Sequence, residues 1–185
     1  MKKLFLTLIA VLAISIGTVN AQAVWGARVG LSKPTVSGNG GSIDGKFGVE
    51  AGPVLYYSLK GNFYINPSLM FSIKTFDFAE ESLSMYYVDV PVYAGYNIPA
   101  GKVSFYAQAG PFVGFKLGES ISSDMADESG LGAINAGLGA IFGVSVNRFK
   151  IEFGYQHGLM NILKEKIEGA KINLSSIFIG INYVF

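Results

Sequence analysis

The chain has 185 residues, half of them apolar and only 15% charged, with 24 glycines, 14% aromatic residues and no cysteine. This length suits one domain, and the charge falls well short of the roughly one-quarter usual in soluble domains. The absence of cysteine excludes a disulfide framework, a thiolate metal site and a lipid-anchoring thiol, and 14 basic against 13 acidic residues leave no basic excess of the kind nucleic-acid binding requires.

Residues 1–21, MKKLFLTLIAVLAISIGTVNA, read as a secretory signal. Lys2 and Lys3 form the positive end, Leu4–Ile16 the apolar stretch, and small residues lead to a cleavage point after Ala21 or Ala23. An uncleaved anchor is the alternative. Cleavage leaves residues 22–185 as a single barrel domain with 12 basic and 13 acidic residues. No good membrane helix follows. The best stretch, residues 131–147, is uncharged but carries Gly132, Gly137, Gly139 and Gly143, a poor helix composition and shorter than the roughly 20 residues a span needs.

The rest alternates with period two, the signature of strands with unlike faces. Eight runs lie near 24–32, 46–59, 62–76, 85–98, 102–117, 133–147, 149–160 and 172–185. Long polar stretches join runs 1–2, 3–4, 5–6 and 7–8: SKPTVSGNGGSIDG, DFAEESLS, GESISSDMADESG and NILKEKIEGAK. Tight turns around Lys60-Gly61-Asn62, Pro99-Ala100-Gly101 and Asn147-Arg148 join the others. Strict alternation of long and short connections predicts an all-β, eight-stranded, antiparallel up-and-down transmembrane β-barrel, with short periplasmic turns and longer extracellular loops.

The run MYYVDVPVYAGYNIP, residues 85–99, shows how the faces divide. Tyr86, Val88, Val90, Val92, Ala94, Tyr96 and Ile98 form one set, while Asp89 stands in the other. The mid-strand charges Arg28, Glu50, Lys74, Asp89, Lys116 and Glu152 all share the parity of the strand glycines. An eight-stranded barrel has an interior just wide enough for side chains, so glycines and charges belong inside and the uncharged face meets lipid. A soluble ligand-carrying barrel would do the reverse. These six residues are therefore expected to form a lumen charge network, paired or hydrated, because an unpaired buried charge costs several kcal/mol. Arg28 and Lys74 are the nearest cations for Asp89, with Glu50 and Glu152 sharing the network. Pro91 predicts a bulge or kink. Aromatics form two girdles: Trp25, Tyr57, Phe63, Tyr96, Phe105, Tyr183 and Phe185 at the periplasmic side, and Phe47, Tyr86, Phe115 and Tyr155 at the outer side.

The chain closes on SSIFIGINYVF. Gly180, Tyr183 and Phe185 in this segment resemble the C-terminal signal read by the outer-membrane barrel assembly machinery, with Phe178 where a polar residue is usual. Four further stretches resemble the PorT-like outer-membrane β-barrel family of Bacteroidetes: Tyr-Val-Asp-Val-Pro at 87–91, Ala-Gly-Pro-Phe-Val-Gly at 109–114, Gly-Leu-Gly at 137–139 and residues 152–162. The resemblance implies a small eight-stranded outer-membrane barrel. One branch of the family is tied to secretion and gliding machinery, and no functional residue is carried over from it.

Candidate chemistry is sparse. His157 is the only histidine; it falls on the lipid-facing parity near the outer end, close to Ser175 and Ser176, while Glu152 points inward. A Ser–His–acid site needs all three within reach, so a headgroup contact is the expectation and no catalytic residue is assigned. Gly40-x4-Gly45-Lys46 imitates a phosphate loop but continues with Phe47 and a strand. Gly137, Gly139 and Gly143 share one strand face and make no dinucleotide fingerprint. Glu119, Asp124, Asp127 and Glu128 make an acidic third loop without calcium-ligand spacing, and Lys164, Lys166 and Lys171 in the fourth loop could meet lipopolysaccharide phosphates. No metal or cofactor is expected. The sequence thus predicts a non-enzymatic outer-membrane protein with a side-chain-filled lumen, in a structural or interaction role or as an accessory to an envelope or secretion complex. Its expected contacts are outer-membrane lipid, lipopolysaccharide and the barrel assembly machinery. A lipid A-modifying enzyme and a narrow channel are the alternatives.

Overall fold

The computed structural model describes residues 23–38, 41–78, 81–121, 132–162 and 172–185. The 1–21 segment expected to be a signal, most of the expected acidic third loop (Asp124, Asp127, Glu128) and the expected fourth-loop lysines (Lys164, Lys166, Lys171) lie outside these residues. The regular elements are strands: β1 (Ala23–Gly38), β2 (Gly41–Asp44), β3 (Gly48–Ser58), β4 (Phe63–Pro67), β5 (Met70–Phe78), β6 (Glu81–Ala100), β7 (Val103–Ile121), β8 (Ile134–Val146), β9 (Phe149–Gly158) and β10 (Ile172–Val184). Every pairing is antiparallel.

The ladder closes on itself. β1 pairs with β10 on one side and β3 on the other, and the ring continues through β4 and β5 to β6, β7, β8 and β9. β4 and β5 are two halves of one wall strand, and β2 is a short hairpin extension on the far end of β1, so eight strands make the wall. The short turns use Gly61 (φ 73°), Gly101 (φ 69°) and Asn147 (φ 54°) in the left-handed region that tight hairpins demand.

Two expectations shift. Among the described residues the first two polar connections at the opposite end are largely strand and the third begins as one: β1 runs on to Gly38, β5 to Phe78 and β7 to Ile121. Their polar composition reflects what surrounds them, while the extended backbone continues the ladder already begun. The bulge expected at Pro91 lies elsewhere. Pro91 stays in register with Phe112 on β7, and the β6–β7 register shifts between Tyr86 and Tyr87. The Pro91 carbonyl accepts from Ser68 N–H at 3.0 Å. In an antiparallel strand a residue's N–H and C=O point to the same neighbour, so the missing donor of Pro91 faces β4, and there the wall strand breaks at Ser68–Leu69. Asn66 Nδ2 donates to the Leu55 carbonyl at 2.9 Å and repairs part of the gap.

The exterior is apolar: Val29, Leu31, Phe71, Phe105, Phe142, Ile151, Phe153, Ile179 and Ile181 are all more than half exposed. Trp25, Phe63, Tyr96, Phe105, Phe149 and Phe185 ring the short-turn end, with Phe63 against Tyr96 at 4.8 Å and Phe149 against Tyr183 at 5.2 Å between ring centroids. Inside, Val54, Tyr56, Tyr64, Met70, Tyr93, Tyr106, Ile141 and Phe178 pack as one cluster. Phe76, Leu83, Met85, Tyr87, Ile162 and Leu174 pack as a second. Inward glycines admit the rings: a Cβ on Gly95 would strike Tyr64, on Gly143 Tyr106, and on Gly154 Phe178.

Candidate functional site

The deep charges lie between the two interior clusters. Arg28 on β1 reaches across β10, its stem lying 3.5 Å from where a Cβ on Gly180 would stand. Its Nη1 donates to Glu152 Oε1 on β9 at 2.8 Å. On the other side Arg28 Nε faces Glu50 Oε1 on β3 at 3.4 Å, close enough for an ion pair but not aligned as a hydrogen bond. Tyr106 OH donates to the second Glu152 oxygen at 3.0 Å, and the guanidinium stands 5.1 Å from the Phe178 ring centroid.

A second group forms on β5 and β6. Lys74 Nζ donates to both Asp89 oxygens, at 3.2 and 3.4 Å, and Ser72 Oγ donates to Asp89 Oδ2 at 2.7 Å. Lys74 Nζ also lies 4.4 Å from the Tyr87 ring centroid. Asp89 therefore meets Lys74, while Arg28 turns to Glu50 and Glu152. Lys116 Nζ pairs with Glu119 Oε2 at 2.8 Å.

Lys150, absent from the sequence-level network, also points inward. Its ammonium lies 4.0, 5.3 and 4.5 Å from the ring centroids of Tyr56, Tyr64 and Tyr106, an arrangement of cation–π contacts. The available signal was parity: Lys150 is two residues before Glu152 and so shares its face. With Lys150 included, Arg28, Lys74 and Lys150 balance Glu50, Asp89 and Glu152.

At the short-turn end, Gly180, Tyr183 and Phe185 occupy or follow β10. Arg148 Nη1 donates to Tyr183 OH at 3.5 Å, and Phe185 N–H donates to the Trp25 carbonyl at 2.9 Å. At the other end His157 faces outward on β9, with Nδ1 3.0 Å from Ser175 Oγ and 3.2 Å from Tyr155 OH. Among the described residues no group of three or more His, Cys, Asp or Glu side chains could hold a metal ion. On the strand extensions, Asp44 is held below the usual carboxylate range by hydrogen bonds from Lys33 and Thr35, and Asp77 likewise by Lys46 and Ser82.

A closed, charge-balanced interior inside an apolar wall is the form a membrane barrel takes. The model for the outer membrane protein beta-barrel domain matches residues 20–164. Among solved structures the chain is similar to Neisserial surface protein A (14% identity, 87% of this chain and 97% of that one, TM-score 0.59). It is also similar to Ail, the attachment invasion locus protein of Yersinia pestis, crystallised with the heparin analogue sucrose octasulfate (15% identity, 89% of this chain and 99% of that one, TM-score 0.52). No curated protein matches it in sequence.

Proposed function

The chain belongs to the outer membrane protein beta-barrel domain family and resides in the outer membrane, and from that premise we propose that it is a non-enzymatic barrel acting through its ends. The observation that carries this reading is the filled interior. Arg28, Glu50, Lys74, Asp89 and Glu152 are each at most 6% exposed, so the lumen is occupied by its own side chains and what remains to meet a partner are the outer extensions and the periplasmic turns. We place the protein in the PorT-like branch of small barrels, exported by its 1–21 signal, delivered to the assembly machinery by Gly180, Tyr183 and Phe185, with residues 22–185 as the mature barrel. Its role is structural or accessory to an envelope or secretion complex, in contact with lipopolysaccharide. Purifying a tagged copy from outer membranes in mild detergent tests this: a stoichiometric partner supports the accessory role, and a barrel that always comes alone counts against it. Planar-bilayer recordings test the narrow channel, and steady conductance would overturn the filled-lumen reading.

A lipid A-modifying enzyme is the second reading, supported by the 3.0 Å contact between His157 and Ser175. Among the described residues the imidazole is hydrogen-bonded to Tyr155 and Ser175 and to no carboxylate. An unchanged lipid A mass profile with and without the protein would end it.

A further inference from the structure

On the lipid-facing wall, polar side chains line up across four adjacent strands. Thr35 on β1 stands opposite Ser175 on β10 and opposite Asp44 on β2, and Ser175 Oγ meets His157 Nδ1 on β9 at 3.0 Å. Thr35 Oγ1 donates to Asp44 Oδ1 at 2.9 Å and Lys33 Nζ to Asp44 Oδ2 at 3.0 Å. Tyr155, one outward position below His157, stacks on the imidazole at 6.1 Å between centroids. Beneath this row the same wall is apolar, through Leu31 and Val29 on β1, Ile177 and Ile179 on β10, and Phe153 and Ile151 on β9.

The height of the row is fixed by the strands. Ten residues separate Trp25 from Thr35. At about 3.3 Å per residue and a tilt of roughly 40°, Thr35 stands about 25 Å above Trp25, the height of the apolar band of an outer-membrane barrel. The row therefore lies where acyl chains end and headgroups begin.

We propose that His157, Thr35 and Asp44, with Tyr155 and Lys33 and with the buried Ser175 (6% exposed) holding the imidazole, form a site for the sugar headgroup of one outer-leaflet glycolipid, whose acyl chain lies down the β9–β10–β1 wall. The inference rests on the outer-membrane reading and is independent of any protein partner. Its chemistry suits a hydroxyl-rich ring. Carboxylate oxygens and hydroxyls retain free lone pairs after the bonds described, the tyrosine and imidazole offer a flat face, and Lys33 is already neutralised by Asp44. A site of this kind prefers sugar hydroxyls to a bare phosphate.

The test uses the full chain in detergent micelles, read by native mass spectrometry. Purified lipid A and phosphatidylglycerol are the probes, and free glucosamine disaccharide is the competitor. One lipid A is expected to stay bound per barrel at lipid concentrations where phosphatidylglycerol is lost. Each of His157→Ala and Asp44→Ala should lower retention about fivefold, one hydrogen bond's worth. Phe71→Ala, on a different wall, should change nothing. If either variant fails to fold, Thr35→Val, which keeps the shape and removes one hydroxyl, carries the comparison. Competition by the free disaccharide assigns recognition to the sugar alone, and its absence adds the acyl chain; both support the site. Equal retention of the two lipids, variants indistinguishable from the parent, or Ser175-dependent loss of an acyl mass from lipid A would each overturn the proposal.

Discussion

Glu152 offers the sharpest perturbation. Its two oxygens are used by different partners, Arg28 Nη1 at 2.8 Å and Tyr106 OH at 3.0 Å, and the residue is 2% exposed. Replacement by alanine leaves the Arg28 guanidinium buried with the longer Glu50 contact and the Phe178 ring face. Removing one partner of a buried pair costs about 3–5 kcal/mol. Glu152→Gln keeps an acceptor for Arg28 and loses the charge, so its cost should be nearer about 1.5–3 kcal/mol, the worth of a hydrogen bond to a charged group. The comparison is Asp77→Asn. That residue's bridge to Lys46 is as short, 2.7 Å, but both side chains are well exposed, and solvent-screened pairs of this kind contribute little. The assay is urea-dependent folding into phosphatidylcholine vesicles, followed by the fluorescence of Trp25, the only tryptophan and a lipid-facing one. The expected order of loss is Glu152→Ala, then Glu152→Gln, then Asp77→Asn. A Glu152→Ala loss no larger than that of Asp77→Asn would refute the claim that burial gives the interior pair its value.

Three further outcomes follow from the packing. Gly154→Ala should destabilise the barrel by about 1–3 kcal/mol through overpacking, because its Cβ meets the Phe178 ring; Phe178→Leu in the same chain should recover much of the loss in the same assay. Lys150→Met should cost about 1–2 kcal/mol through lost cation–π contacts with Tyr56, Tyr64 and Tyr106, and Lys150→Arg should cost less; equal losses would contradict the cage. The Asp44 carboxyl is depressed by Lys33 and Thr35, so its contribution is present above the ordinary carboxylate pKa of about 3.9 and lost as pH falls through the lower folded value. Amide exchange in the β1–β2 hairpin should therefore quicken only in that acid window, and unchanged protection there would argue against the bond.

Much of the barrel was legible because period-two alternation and the strand glycines share one parity, and a lumen this narrow forces that coincidence. The parity also carries Arg28, Glu50, Lys74, Asp89 and Glu152 to one side of the wall. Which charge meets which was not legible: partners sit on neighbouring strands, and the stagger between strands depends on register. Arg28 finds Glu152 by passing over Gly180, a relation across three strands that no linear spacing encodes. Lys150 is hard to place from sequence because it stands next to a turn, where lysine ordinarily means solvent. The long outer strands look like loops in the sequence because polar residues there reflect water and headgroups rather than a change of backbone. Pro91 pointed to the right level of the barrel and the wrong strand, since the effect of a missing donor falls on the neighbour it faces.

The first and last strands meet over thirteen residue pairs, from Gly26 with Val184 to Gly38 with Ile172. Nearly the whole chain must be laid down before that seam can zip, so closure is the most nonlocal event in folding and carries the largest loop entropy. Until then β1 presents an open edge to any other strand in the envelope. Arg28 lies on one side of the seam and Glu152 beyond the other, so their bond cannot form in an unclosed sheet. It behaves as a latch: a chain stalled before closure leaves Arg28 at its free edge with only the longer carboxylate contact, to Glu50 on the adjoining β3, and the finished ring adds Glu152.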